Sequence, residues 1–98
     1  MATKMWPMQL EERLEANKQL QKRWVGQEIR PDTHIIDVGQ TSTGEIYVLC
    51  YIPNYSVHKF VTWGMDITKS TYWGHYCFTL AEALDDLNER LGLKNEQV

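Results

Sequence analysis

Apolar residues recur at a helical period near each end of this chain and at a period of two through its middle. From 7 to 25, Leu10, Leu14, Leu20 and Trp24 fall near the spacing of one helical face, with Asn17 interrupting the stripe. Pro7 suits the first helical position, where its missing N–H would be unpaired in any case. Glu11, Glu12 and Glu15 precede Lys18, Lys22 and Arg23, so acids stand toward the positive end of the helix dipole and bases toward its negative end. Gly26 stops the helix. Pro31 biases Arg30 away from helical backbone, leaving 27–33 as a linker.

The segments 34–38, 45–52, 57–65 and 71–77 read as strands, separated by clusters of turn-forming residues. Their connections are short enough for a meander. In 45–52, Ile46, Val48, Cys50 and Ile52 share one face, and Tyr47, Leu49 and Tyr51 share the other. Both faces are apolar or aromatic, which places this strand centrally. In 57–65, Val61, Trp63 and Met65 oppose Phe60, Thr62 and Gly64. In 71–77, strict alternation sets Trp73, His75 and Cys77 against Tyr72, Gly74 and Tyr76.

A second helix is expected over 79–91. Thr79 and Glu82 form a capping box, and Phe78 and Ala83 stand at the positions of a hydrophobic staple. Leu80, Ala83, Leu84, Leu87 and Leu91 form an apolar stripe, with Glu82, Asp85, Asp86 and Glu89 outward. Gly92 offers a left-handed closing residue, Leu93 folds back toward Leu87, and 94–98 is a frayed tail.

These elements define one α+β domain over 1–98, a three- to four-stranded antiparallel meander flanked by an N-terminal and a C-terminal helix. Both leucine stripes are expected on the aliphatic side of the sheet, with Ile46, Val48, Cys50 and Ile52. The side with Tyr47, Leu49 and Tyr51 is then left for a partner or a second copy, making a homodimer a candidate assembly.

Composition narrows the function classes. Ninety-eight residues with 43% hydrophobic and 23% charged side chains describe an ordinary globular domain. Ten Lys+Arg against thirteen Asp+Glu give a net charge of −3, which disfavours nucleic acid as a partner. Lys18, Lys22, Arg23 and Arg30 form the one basic cluster. No apolar run approaches the ~20 residues that span a bilayer. Met1-Ala2-Thr3-Lys4 lacks the apolar block of a secretory signal, and with two cysteines a reducing cytoplasm is expected.

Cys50, Cys77, His34, His58 and His75 carry the available covalent and metal chemistry, but their spacing matches no compact ligand motif. Cys50 and Cys77 read as small core hydrophobes. His75 and Cys77 share a strand face, yet nothing beside them marks an oxyanion site. Asp85 and Asp86 sit on the solvated face of an amphipathic helix. No cofactor or metal is expected. The element order resembles double-stranded RNA-binding domains, but the final helix begins with acid where those domains hold phosphate, so topology carries no functional weight.

The aromatic hairpin is the unusual feature: Phe60, Trp63, Tyr72, Trp73 and Tyr76 crowd two adjacent strands. Two helices on one side cannot hide every ring, and exposed Tyr and Trp are enriched at binding hot spots. Val61-Thr62-Trp63 and Trp73-Gly74-His75-Tyr76, followed by the acidic helix, resemble small proteins of bacterial phages and mobile elements with a V-T-W … W-G-H-Y pattern. The resemblance implies a cytoplasmic accessory protein acting on a host or competing-phage protein, and carries over no catalytic residue. The expected function is therefore a non-enzymatic protein-binding module. An inhibitor of a host defence protein is one form of it, with Tyr47, Tyr51, Trp63, Trp73 and Tyr76 as candidate contacts. Nucleic-acid association through Lys18, Lys22, Arg23 and Arg30 is the alternative, and a Cys77–His75 enzyme stands third.

The dispersed Cys and His residues give a first prediction. Elemental analysis of purified protein should find no stoichiometric zinc, and excess reductant should leave the thermal midpoint unchanged.

Overall fold

The computed structural model describes residues 10–55 and 57–92. Helix α1 (Leu10–Trp24) leads into β1 (Glu28–Arg30), β2 (Thr33–Gln40), β3 (Ile46–Tyr51), β4 (Phe60–Met65) and β5 (Thr71–Cys77), and helix α2 (Leu80–Arg90) follows. Every strand pairs antiparallel with its sequence neighbour, so the sheet order is β1-β2-β3-β4-β5. The α+β meander expected from the sequence is what the chain adopts, with five strands rather than three or four. The expected helical residues 7–9, the Leu93 contact and the tail 94–98 lie outside the described residues.

The extra strand is β1, in the stretch expected to be a linker. Pro31 and Asp32 make a two-residue turn between the paired residues Arg30 and Thr33. Asp32 takes the left-handed backbone this turn needs, at φ 61°. A strand of three residues, two of them charged, carries no readable alternation.

The helices lie on opposite faces of the sheet, which corrects the expectation that both cover one side. On one face, Trp24 of α1 packs with Ile35, Val38, Val48, Cys50, Val61, Trp63 and Met65, joined by Leu20 and Ile29. On the other, Ala83, Leu87 and Leu91 pack on Leu49, with Tyr47, Phe60 and Cys77 around them. The physical reason is β3 itself. Val48 and Cys50 on one side and Leu49 on the other are all fully buried, so each side needs a cover. The aromatic face expected to be open to a second copy is the face α2 occupies.

Both helical stripes are narrower than their spacing suggests. Leu14 is 52% exposed. Polar side chains dock the middle of α1 instead: Asn17 Oδ1 accepts from the Gln40 N–H at 2.8 Å, and Gln21 Nε2 donates to Asp37 Oδ1 at 2.8 Å. On α2, Ala83 and Leu87 are buried while Leu80 and Leu84, one turn apart, stay exposed. Gly39 lets the end of α2 approach β2, since a Cβ there would stand 2.5 Å from Leu91 Cδ1.

The cap of α2 forms as expected on its main arm. Thr79 Oγ1 accepts from the Glu82 N–H at 3.1 Å, and the Glu82 carboxylate accepts from the Phe78 N–H at 3.0 Å. Phe78 is exposed and lies against His58, ring centroids 4.1 Å apart, while Ala83 is buried, so the two do not sit as a staple in the core. Gly92 closes the helix at φ 80°. Among the described residues, no helix is long and apolar enough to cross a membrane.

Thr79→Ala should lower the unfolding free energy by about 0.5–2 kcal/mol in urea titration and leave the far-ultraviolet circular dichroism native. An unchanged midpoint would show that α2 does not depend on this cap.

Candidate functional site

Strand β5 is an edge, paired only with β4. Its register breaks in the middle: Thr62 faces His75 and Gly64 faces Tyr72, so Trp73 and Gly74 together oppose Trp63. This is a β-bulge: it moves Tyr72 to the other side from that expected, while 74–77 keep the expected alternation. Tyr72 joins His75 and Cys77 on the α2 side, and Tyr76 lies on the same side as Val61. Trp73 itself takes φ 55°, a backbone region that bulky residues rarely enter.

The two tryptophans at the bulge end in opposite environments. Trp63 is 6% exposed and belongs to the core. The Arg30 guanidinium lies 4.5 Å from its ring centroid, the Tyr76 ring meets it edge-on at 6.2 Å, and Gly74 leaves room for it. A Cβ at Gly74 would stand 2.5 Å from Trp63 Nε1. Trp73, by contrast, is 72% exposed. Tyr72 lies over Gly64, where any Cβ would run into its ring, and braces Trp73 edge-on at 5.0 Å.

The other expected contacts divide the same way. Tyr76 is exposed and stacks on Tyr55 at 5.5 Å. Lys59 Nζ fixes the Tyr55 loop by donating to the carbonyls of Pro53 and Tyr55, at 2.9 and 2.6 Å. Tyr51 is half-buried against Phe60, and Tyr47 is half-buried with the Arg90 guanidinium 5.3 Å from its ring centroid. Of the five residues proposed from sequence, the structure gathers Trp63, Trp73 and Tyr76 around β5 and leaves only the last two exposed.

Sequence reasoning counted Tyr72 only among the crowded rings, read Asp86 as a solvated helix charge and passed over Arg90. Arg90 Nη2 donates to the Trp73 carbonyl, and its Nε lies 3.3 Å from Asp86 Oδ2 and 3.1 Å from His75 Nδ1. His75 Nδ1 lies 3.0 Å from each Asp86 oxygen, and the buried Thr62 hydroxyl donates to Asp86 Oδ2. Partial burial works against the Asp86 charge. The hydrogen bonds of Thr62 and His75, with the charges of His75 and Arg90, outweigh it and hold the carboxyl below the usual range. An isolated glycine within a strand pattern signals a bulge, so Gly74 was the available clue.

The cysteines are free and show no activation. Burial pushes the Cys50 thiol up to about 12 against the pull of Arg30. Burial raises the Cys77 thiol too, helped by the charges of Asp86 and Glu82, and its Sγ donates to the His75 carbonyl at 3.8 Å rather than to the ring. A nucleophilic thiol needs the opposite shift. His34 lies 3.7 Å from Asp32 and His58 lies against Phe78, so the histidines are dispersed. Among the described residues no cluster of His, Cys, Asp or Glu could hold a metal ion, and no pocket opens.

The basic candidates also separate. Lys18, Lys22 and Arg23 are exposed on α1, where Arg23 lies 5.1 Å from the Trp24 ring centroid. Arg30 is held across the sheet, over Trp63 and donating to Thr71 Oγ1.

The site is thus a side-chain surface on a bulged sheet edge of an α+β domain. No protein-family model, curated protein or solved structure matches the chain.

Asp86 makes stability depend on acid. Its carboxyl is held below the unfolded value of about 4, so the stabilisation is fully present above that pH and is lost as pH falls through the lower folded value. The urea midpoint should fall between about pH 5 and pH 2, and Asp86→Asn should flatten part of that slope while lowering the midpoint at neutral pH. A slope unchanged by the substitution would remove Asp86 from this role.

Proposed function

We propose that this protein is a small non-enzymatic protein-binding module whose contact surface is the β5 edge, with Trp73 as its anchor. The observation that carries the reading is a tryptophan at positive φ that is nevertheless 72% exposed. Such backbone costs on the order of 1–3 kcal/mol, and an indole in water forgoes its own burial. The structure keeps both, and braces the residue with Tyr72 against the ring and Arg90 on the carbonyl.

Bracing of this kind favours binding. A side chain already fixed in place loses little further freedom when a partner takes it, and Trp and Tyr dominate interface hot spots. Tyr72 and Tyr76 extend the surface on either side of Trp73. The bulge and the Arg90 contact also interrupt the regular hydrogen-bonding edge, which favours recognition by side chains over addition of a strand.

The V-T-W … W-G-H-Y resemblance supports a narrower form, in which the partner is a host defence protein met in the bacterial cytoplasm. Nucleic-acid association has less support, because Arg30 is occupied by Trp63 and Thr71.

Trp73→Gly tests the reading, since glycine accepts the same backbone without strain. It should keep or raise the urea midpoint while weakening capture of a purified partner about 30-fold, equivalent to ~2 kcal/mol. Substituting Lys18, Lys22 and Arg23 by alanine should leave capture intact. Capture that survives Trp73→Gly, or a Trp73→Gly protein that unfolds, would overturn the proposal.

A further inference from the structure

His75 holds one ring nitrogen between an acid and a base. Nδ1 lies 3.0 Å from both Asp86 oxygens and 3.1 Å from Arg90 Nε. One nitrogen cannot serve both. As N–H it donates to Asp86 and has no lone pair for the Arg90 N–H. As a bare nitrogen it accepts from Arg90 and turns its lone pair toward the carboxylate.

The two partners differ in their freedom to respond. The His75 side chain is 55% exposed, so its proton exchanges readily with water. The Arg90 side chain is only 9% exposed, and when Nδ1 no longer accepts, its Nε keeps only the Asp86 carboxylate, 3.3 Å away, which it must then share with the imidazolium. Arg90 is also the group that donates to the Trp73 carbonyl at the bulge.

We propose that His75 is a proton-operated latch on the Trp73 anchor. With the imidazole neutral and its proton on Nε2, Nδ1 accepts from Arg90 Nε–H and holds the guanidinium against the Trp73 carbonyl. With the imidazole protonated, Nδ1–H engages Asp86, so one carboxylate faces two cations. Arg90 then shifts away from the like charge and frees the bulge. Histidine is the residue whose charge change falls in the physiological range. The inference rests on β5 being the contact surface, and it adds regulation to that surface: binding is strong near neutrality and weakens in mild acid.

Few other groups face the ring. From α2 come Asp86 and Arg90, with Glu82 one turn earlier near Cys77. From β4 comes the uncharged Thr62, which is bonded to Asp86. On β5, Cys77 donates to the His75 carbonyl, and on β3 Tyr47 lies beneath Arg90. The Cys77 thiol is raised by burial and the Asp86 carboxyl lowered by its partners, both away from neutrality, so neither mimics the latch.

Nuclear magnetic resonance on the full ¹⁵N-labelled chain, from pH 7.5 to pH 5.5, tests the latch without a partner. The Trp73 and Gly74 amides should shift with the same midpoint as the His75 ring. Their exchange with solvent, corrected for intrinsic pH dependence, should become about tenfold faster in acid, a change of ~1.4 kcal/mol in local opening. His75→Gln keeps a neutral group that accepts from Arg90 and should abolish that dependence. Arg90→Lys loses the forked donor, so His75 should still titrate while the Trp73 and Gly74 amides no longer follow it. Amides that stay still while wild-type His75 titrates, or that respond equally in His75→Gln, would overturn the latch. Because no partner enters this measurement, the latch can fail while Trp73 remains an anchor, and it can hold when capture through Trp73 fails.

Discussion

A central strand that is apolar on both faces governs this molecule. Val48 and Cys50 look one way from β3 and Leu49 looks the other, all fully buried, and no arrangement of helices on one side hides all three. At ~25 cal/mol per Å² of apolar surface removed from water, leaving either side open would forfeit more than a small domain has to spare. The helices therefore divide, α1 with Val48 and Cys50, α2 with Leu49. Much else follows from that division, including the need for Gly39 beneath Leu91 and the half-buried place of Tyr47.

The two covers are attached by different means. The middle of α1 is seated by polar side chains, Asn17 on the β2 backbone and Gln21 on Asp37, with Trp24 as its large buried group. Helix α2 has a short apolar stripe and a charged flank. Asp86 and Arg90 on that flank reach His75, Thr62 and the Trp73 carbonyl. The flank that would ordinarily point into solvent is what ties the helix to the edge of the sheet.

At that edge, packing and exposure are set by one inserted residue. The bulge seats Trp63 over Gly74 and sends Trp73 outward. Continued in the register of Cys77 and His75, an unbulged strand would have set Trp73 opposite Gly64 on the α2 side. The same insertion interrupts an edge ladder that would otherwise invite pairing with other chains, a recurrent use of bulges at sheet edges. A bulky residue at positive φ survives there because Tyr72, Arg90 and the network around Asp86 hold it from separate directions.

Periodicity and turn chemistry by themselves determined the helices, the meander and the α2 cap, because these are set by residues within a few positions of one another. Leu80 through Arg90 reads as a helix from its own spacing, and Thr79 and Glu82 cap it from three residues apart. The aromatic crowding on β5 was legible too, as was its candidacy as a surface. Tertiary structure alone decided which rings are core. Trp63 and Trp73 are the same residue type in neighbouring strands, and one bulge separates their fates. It also decided that the helices part to opposite faces, since a doubly apolar strand states the need for two covers without naming them. Asp86 and Arg90 read locally as solvated helix charges, and their role arises from groups eleven to twenty-four positions away in the chain, a separation that no local pattern encodes.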